Sequence, residues 1–532
     1  KKHIKSITGL SERVGLLRMH INNLDLSIIQ VYAPTNDSKE EEVERFYSTV
    51  DKALKLSGNN IIVMGDFNAQ IGQPKRSESI TGNYGYDHRP VRATFNLFSK
   101  SKSRSKFGKC PKPQIKNGKD AQTYMESLNS CSENLLEQAG FRRGFSTVDH
   151  IHTLEMIIEK YQESNRPLYT VFIDYQKAFD TLLHSAIWEA LLSQEVELKY
   201  IQILKNIYDN STSRVKLETT GPPIQINRGV RQGDPISPTI FIAVLEFIVR
   251  KLNWEKVGIN INGCYLSHLR FADDIVLLSE SITQLQQMIN SLHVESCKVG
   301  LEINLDKTNV MTNHTKIPIY LKNQPLTYAD TYIYLGKQIS FNQRNNELEV
   351  ERRVNITWKK FWNLKEILKS DMSINLKSRV MNTCLLPSLT YACQTWKFTR
   401  KLKNKIITSQ RSMERSILKI KKLQKIRHTT IRQKTKAIDA LSYSQKLKWR
   451  WAGHLARLTD NRWTIKTTSW LGPLGHRKRG RPIARWADDI VKTAGTNWMR
   501  TAKDREHWST LEEAFTFLLS LDMLFMVVYW VC

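Results

Sequence analysis

Three aspartates have the type and spacing for metal chemistry. Asp273 and Asp274 are adjacent in LRFADDIVLLSE, and Asp174 closes the apolar run LYTVFID, 99 positions earlier. Their carboxylates are hard oxygen ligands of the kind magnesium prefers. A cluster of this sort can hold two ions about 4 Å apart for phosphoryl transfer, one activating the attacking oxygen and the other steadying the leaving group. An isolated aspartate pair is common on surfaces, so the reading depends on Asp174, which only the fold can bring alongside. The letters ADDIV recur in IARWADDIVKTA, residues 483–494, where the flanks are different.

The elements that must position these groups follow from their neighbours. GCYLSHLRF and the β-branched IVLL bracket the two aspartates as the strands of a hairpin, holding both carboxylates toward a cleft. LYTVFI reads as a buried strand that passes into a helix through YQKAFD. From about Leu135 to Ser340, strand-like and helix-like runs alternate. Beyond about Val350 the pattern is almost wholly helical, and eleven of the thirteen tryptophans lie there. Near the start, Leu24, Leu26 and Ile28 alternate as in a strand, and Val43, Phe46, Tyr47, Val50 and Leu54 have helical spacing. NNIIVMGDFNAQIG is then a strand emptying into a polar loop, so a layered α/β domain begins there. Residues 99–119, SKSKSRSKFGKCPKPQIKNGK, read as a basic linker, with phosphate contact as the sharper alternative. No fixed-period repeat is present.

At 532 residues the chain is long enough for several cores, and 80 Lys and Arg against 51 Asp and Glu give a formal charge of +29. That balance favours a polyanionic partner, nucleic acid first. The seven cysteines are scattered and form no C-x-x-C pair, which argues for a reducing compartment and against a zinc finger. No signal-peptide pattern is read at the start, which opens at Lys1 without a methionine, as a fragment would. The apolar end from Phe515 to Cys532 is interrupted by Asp522 and falls short of the roughly 20 residues a membrane span needs, so no membrane partner is expected.

In order along the chain stand FIDYQKAFD, RGVRQGDPISPTIF, FADDIVLL, GLEINLDKT and YLG. This series resembles a reverse transcriptase, most closely those of non-long-terminal-repeat retrotransposons. The resemblance implies that Asp174 and Asp273 hold the metal ions, with Asp274 a weaker ligand. It implies that Phe179 packs under the incoming sugar and blocks a 2′-hydroxyl, and that Gln232 and Gly233 support the template and the nascent base pair. Lys307 would protonate the pyrophosphate leaving group, and Tyr334, Leu335 and Gly336 would form the primer grip. QAGFRRGFSTVDHI resembles a fingers motif in which Arg142 or Arg143 meets the triphosphate. Phe271 stands where many relatives have tyrosine, a change that keeps the ring. Taken singly, Phe179 also fits as core, Lys307 as a solvated helix end and Arg142 as a surface charge.

VYAPT, GDFNAQIG and YDHRPVRATF resemble an endonuclease/exonuclease/phosphatase domain. In that family Asp66 and Asn68 would orient the nucleophile and the scissile phosphate, and His88, oriented by Asp87, would contact phosphate. Only 21 positions separate Asp66 from Asp87, too few for the strands and helices the family places between them. A truncated domain without endonuclease activity is the expectation.

Between Lys397 and Lys436 there are fifteen Lys or Arg and one acidic residue, Glu414. Met413, Ile417, Ile420 and Leu423 fall on one helical face, leaving a basic face suited to a polymerase thumb. In the second ADDIV the spacing predicts a helix from Pro482 to Gly495, buried through Ile483, Trp486, Ile490 and Ala494, with Arg485 and Asp489 paired on its surface. Trp449, Trp451 and His454 read first as structural, with RNA stacking as the alternative.

The expected fold is α+β: a right-hand-type polymerase palm and fingers with a helical thumb, preceded by a partial α/β endonuclease/exonuclease/phosphatase sandwich. The expected segments are 1–98 for the partial endonuclease domain, 99–134 for linker and residual fingers, 135–345 for fingers and palm, 346–436 for the thumb and 437–532 for a helical C-terminal region. The expected activity is RNA-directed DNA polymerisation with two Mg2+ ions, Mn2+ being a substitute, on an RNA template, a DNA primer or target and deoxynucleoside triphosphates, inside the nucleus and cytoplasm. Two other readings stay open, an inactive nucleic-acid-binding relic and a metal-dependent nuclease resting on the N-terminal domain.

Overall fold

Alternating and continuous apolar runs become two larger sheets, one of four strands and one of five. The computed structural model describes residues 4–21, 24–32, 40–57, 61–66, 136–214, 221–476 and 483–521. The chain divides into two compact units, Lys1–Cys110 and Pro111–Cys532.

In the first unit, strands β1 (Ile4–Ser11), β2 (Val14–Ile21) and β3 (Leu24–Tyr32) form an antiparallel meander. Helix α1 (Glu40–Lys55) then crosses over to β4 (Ile61–Asp66), which pairs parallel to β3. The first two strands went unread in the sequence. The buried face of β3 is Ser27, Ile29 and Val31, and α1 packs Phe46 and Ala53 onto it with Val50 at the margin. Tyr47 and Leu54, expected on that face, are exposed. The helix meets the sheet through a strip narrower than its apolar spacing suggested.

The second unit is built on a five-stranded sheet in the order β6-β7-β5-β8-β9, where β5 is Tyr169–Ile173, β6 His268–Phe271, β7 Asp274–Ser279, β8 Asn309–Thr312 and β9 Thr327–Tyr328. Three of the four pairings are antiparallel, and β8 and β9 are parallel. Successive side chains on a strand point to opposite faces, and here both faces are covered. Val171, Ile173, Ile275, Leu277 and Val310 pack against helices α3 (His184–Ser193), α4 (Ser237–Arg250) and α5 (Ile282–Lys298). Phe172, Val276, Leu278 and Met311 pack on the other side with Leu154, Ile157 and Tyr161 of α2 (Thr147–Ser164). Two buried faces explain why FIDY and DDIVLL carry continuous rather than alternating hydrophobics.

Beyond the sheet, a hairpin of β10 (Tyr332–Tyr334) and β11 (Lys337–Ile339) leads into helical structure, including α6 (Asn345–Asn363), α7 (Arg400–Ile417), α8 (Ala440–Arg457), α9 (Asp488–Ala494) and α10 (Arg505–Leu521). Met413 and Ile417 are buried as expected, but α7 ends at Ile417 and the chain turns at Lys419, whose φ is 58°. Leu423 therefore leaves that face altogether and is 89% exposed. Glu414 points inward, where it meets His428 and Arg432.

The second ADDIV is corrected in the same way. The helix starts only at Asp488, so Arg485 lies before it and pairs with Glu163 of α2. Asp489 instead accepts hydrogen bonds at 2.7 and 2.8 Å from Nζ of Lys448, a lysine of α8 with no exposed side chain. The structural reading of Trp449 holds: its ring stacks on Trp508 at 3.9 Å, and each indole donates to the other's backbone carbonyl. Among the described residues no helix is long and apolar enough to cross a membrane. The linker at 99–119 and the end of the apolar tail lie outside the described residues.

Candidate active site

The β6–β7 hairpin pairs Phe271 with Asp274, which leaves Ala272 and Asp273 as a two-residue turn. Ala272 sits there at φ 55°, a conformation usually left to glycine in such turns. On the neighbouring ladder Ile275 pairs with Ile173. Continued by one residue, that register sets Asp274 opposite Asp174. The fold thus brings together the three aspartates that the sequence singled out.

Their electrostatics show the proximity. Burial raises the carboxyl of Asp273 above its ordinary value, and the charge of Asp174 adds to this. Asp274 is pushed up to about 6, by burial first and then by Asp273 and Asp174. One oxygen of Asp174, Oδ2, is buried and has no hydrogen-bond partner among the described residues. Three partly desolvated, mutually repelling carboxylates, with one buried oxygen that accepts no hydrogen bond among the described residues, fit a divalent cation. Among the described residues no group of three or more His, Cys, Asp or Glu side chains forms a ready metal cage. A divalent cation can bind through one or two carboxylates and take the rest of its shell from water and substrate phosphates.

Lys307 Nζ lies 3.7 Å from Asp174 Oδ2, and its side chain is 68% exposed. The Asn304 side chain holds the turn before it by accepting from the backbone amides of Asp306 and Lys307. Phe179 is half-buried and stacks on Phe241 at 4.5 Å, so the core reading describes one of its faces. Gln232 donates to Asp180 at 3.2 Å. Gly233 takes φ 85°, and a Cβ there would meet no atom within 4 Å. The glycine is needed for its backbone angle, not for a close approach within the protein.

The Tyr334–Gly336 segment turns between β10 and β11, with Leu335 at φ 45° and Gly336 at φ 77°. Tyr334 is buried. Arg352 and Arg353 of α6 both donate to the Gly336 carbonyl, and Tyr391 donates to the Leu335 carbonyl at 2.7 Å. Arg142 donates to the Gln138 carbonyl at 3.1 Å and lies over the Phe145 ring, whereas Arg143 is exposed. Asp66 ends β4 in the other unit; Asn68, Asp87 and His88 lie outside the described residues.

Sequence reasoning missed Tyr332. Its ring stacks on Phe172 at 4.3 Å, and its hydroxyl is pushed up to about 12 by burial, then by Asp274 and Asp174. The tyrosine stands two residues before the grip, and its alternation with Tyr334 was the available signal. Arg352 and Arg353 have helical spacing to Glu349, with which both pair, but their bonds to the Gly336 carbonyl, like that of Tyr391 to the Leu335 carbonyl, gave no signal in the sequence.

The family model described as reverse transcriptase (RNA-dependent DNA polymerase) matches residues 108–339, which include all three aspartates. A transposon-derived protein of Caenorhabditis elegans is 34% identical over 268 residues, 47% of this chain and 95% of that protein. The polyprotein of a type-1 retrotransposable element R2 from Nasonia vitripennis is 30% identical over 37% of this chain and 21% of its own length. The RNA-directed DNA polymerase of mobile element jockey from Drosophila funebris is 24% identical over 53% of this chain and 31% of its own length. The chain therefore spans less than a third of either of these two larger relatives. A solved telomerase from Candida tropicalis is 13% identical, covering 74% of this chain and 60% of that one, at a TM-score of 0.37, too low to support a structural conclusion. With near-complete coverage of the nematode relative and the matched polymerase segment, the chain belongs to the reverse transcriptases of non-long-terminal-repeat retrotransposons.

Proposed function

We propose that this chain extends a DNA 3′-hydroxyl on an RNA template with deoxynucleoside triphosphates, using two Mg2+ ions for which Mn2+ can substitute. The observation that carries the reading is that Asp174 and Asp274 flank the same end of the β5–β7 ladder beside the Asp273 turn, with Asp274 raised to about 6 by burial and by the other two carboxylates. Bound there, divalent ions would activate the attacking oxygen and neutralise charge on the leaving group. Asp174 and Asp273 supply the principal ligands and Asp274 the weaker one. Lys307, exposed and close to Asp174, donates a proton to departing pyrophosphate. Phe179 offers the ring edge not covered by Phe241 to the sugar, Gln232 and Gly233 support the template, Arg142 or Arg143 meets the triphosphate, and the Tyr334–Gly336 turn holds the primer. The basic stretch from Lys397 to Lys436 serves as the thumb, and the site of action is nuclear and cytoplasmic.

The N-terminal unit is read as the remnant of an endonuclease/exonuclease/phosphatase sandwich without nicking activity. The parallel β3–β4 pair with Asp66 at its end supports the ancestry.

Primer extension on an RNA template with Mg2+ tests the polymerase. The parent extends and Asp273→Ala does not while still binding RNA; absence of extension by the parent favours the inactive relic. Nicking of supercoiled plasmid by the full chain, lost in Asp66→Ala, would instead establish the nuclease.

A further inference from the structure

The segment Glu137–Gly140 lies along the strand that leads to the aspartate turn. The backbone amide of Arg270 donates to the Glu137 carbonyl at 2.8 Å, and that of Ala139 donates to the Arg270 carbonyl at 3.0 Å. These bonds extend the sheet by one short parallel bridge, Gln138 to Arg270. Gln138 is 1% exposed. Its side-chain Oε1 accepts from the Gly140 amide at 2.9 Å and from the Ala272 amide at 3.4 Å. Its Nε2 is buried without a partner among the described residues, so the amide is held through its oxygen. Gly140 lies directly against the turn: a Cβ there would stand 2.5 Å from the Ala272 nitrogen and 3.0 Å from the Phe271 carbonyl carbon.

Ala272 is the residue held at φ 55° between Phe271 and Asp273. A non-glycine residue persists in that conformation only when its surroundings over-determine it. The surroundings here are the Gln138 oxygen on its amide and the Gly140 backbone against its peptide. The same Gln138 gives its backbone carbonyl to Arg142. One short strap thus holds the turn bearing Asp273 and Asp274 and also the arginine loop on the fingers side.

We propose that Gln138 and Gly140 are positioning residues that set the geometry of the Asp273–Asp274 turn for divalent-cation binding. The strap touches neither substrate nor metal and acts through the Ala272 peptide. The proposal rests on the metal role given above to the aspartates, and its test is separable from polymerase activity.

The full chain is compared with Gln138→Met, Gln138→Glu and Gly140→Ala. Direct Mn2+ binding is followed by electron paramagnetic resonance, and amide hydrogen exchange by mass spectrometry over residues 268–279. Thermal unfolding and binding to an RNA–DNA template–primer in chelator serve as controls. Gln138→Met, which keeps the volume and removes the oxygen, is expected to weaken Mn2+ binding by about tenfold, as for loss of one buried acceptor. It should speed exchange at the turn and leave template–primer binding within about twofold. Gln138→Glu retains the acceptor oxygen and is expected to restore slow exchange. Gly140→Ala, which drives a methyl into the Ala272 peptide, is expected to reproduce the methionine variant. In extension assays the loss should fall on kcat and on the half-saturating Mg2+, with KM for nucleotide unchanged.

Mn2+ affinity equal to the parent's in both Gln138→Met and Gly140→Ala overturns the proposal, whether or not the parent extends primers. A parent that binds no Mn2+ also overturns it. A parent whose Mn2+ binding depends on Gln138 and Gly140 but that extends nothing removes the polymerase reading and leaves this inference standing.

Discussion

Asp174 follows Ile173 and Asp274 precedes Ile275, the pair that ends the β5–β7 ladder, so the two aspartates flank the same end of it. The carboxyl of Asp274 is pushed up to about 6, by burial first and then by the charges of Asp273 and Asp174. An aspartate in the unfolded chain titrates near 3.9.

The folded protein therefore holds the Asp274 proton more tightly than the unfolded chain does. Its contribution to stability is fully present below about pH 4 and is lost as pH rises through about 6. Asp274→Asn, measured by thermal unfolding without divalent cations, should stabilise the protein at pH 7 by about 3 kcal/mol. The gain should disappear at pH 4. Millimolar Mg2+ should stabilise the parent more than the variant; equal responses would exclude Asp274 as a ligand.

The second ADDIV makes a contrasting prediction. Lys448 is fully buried, donating to Asp489 and to the carbonyls of Trp396 and Trp486. Removing one partner of a buried pair leaves an uncompensated charge, at about 3 to 5 kcal/mol. Asp489→Ala should unfold more easily in denaturant titrations, by at least about 3 kcal/mol. Arg485→Ala, breaking the more exposed pair with Glu163, should cost no more than about 1 kcal/mol. Equal losses would mean that Asp489 is not the buried anchor.

The contrast also shows how far the sequence carried. The palm aspartates were legible because strand periodicity and hairpin flanks are local signals, and motif order supplied the distant partner. The Arg485–Asp489 pair was misread because helical spacing was continued back past Asp488 to a residue outside the helix. Only tertiary packing could reveal Lys448 as the partner, 41 positions away. Leu423 failed for the same reason: its spacing matched α7, but the chain had already turned at Lys419. Gln138 lay inside a motif read for its arginines, and its value comes from a contact with Ala272, 134 positions on.

The turn at Lys419 creates a testable basic tip. Lys421, Lys422 and Lys425 are exposed around the exposed Leu423, and such a cluster is expected to meet a phosphate backbone. Replacing all three with alanine should lower the slope of log affinity against log salt for an RNA–DNA template–primer by about 2. Thermal stability should move by less than about 0.5 kcal/mol. An unchanged slope would remove this tip from the nucleic-acid interface.

The grip turn is fixed from outside by the helical region. Tyr391 donates to the Leu335 carbonyl at 2.7 Å and its ring carries the Arg353 guanidinium at 4.4 Å. Tyr391→Phe keeps the ring and loses the hydrogen bond, costing about 1 kcal/mol. Gly336 adopts φ 77° with the Tyr391 ring at ordinary contact distance from where a Cβ would lie. Gly336→Ala should therefore cost about 1 to 2 kcal/mol, from backbone strain and not from collision. If the turn holds primer, both variants should raise KM for primer while leaving the half-saturating Mg2+ near the parent's. A shift in metal requirement without one in primer KM would place the defect at the aspartates and refute the grip assignment.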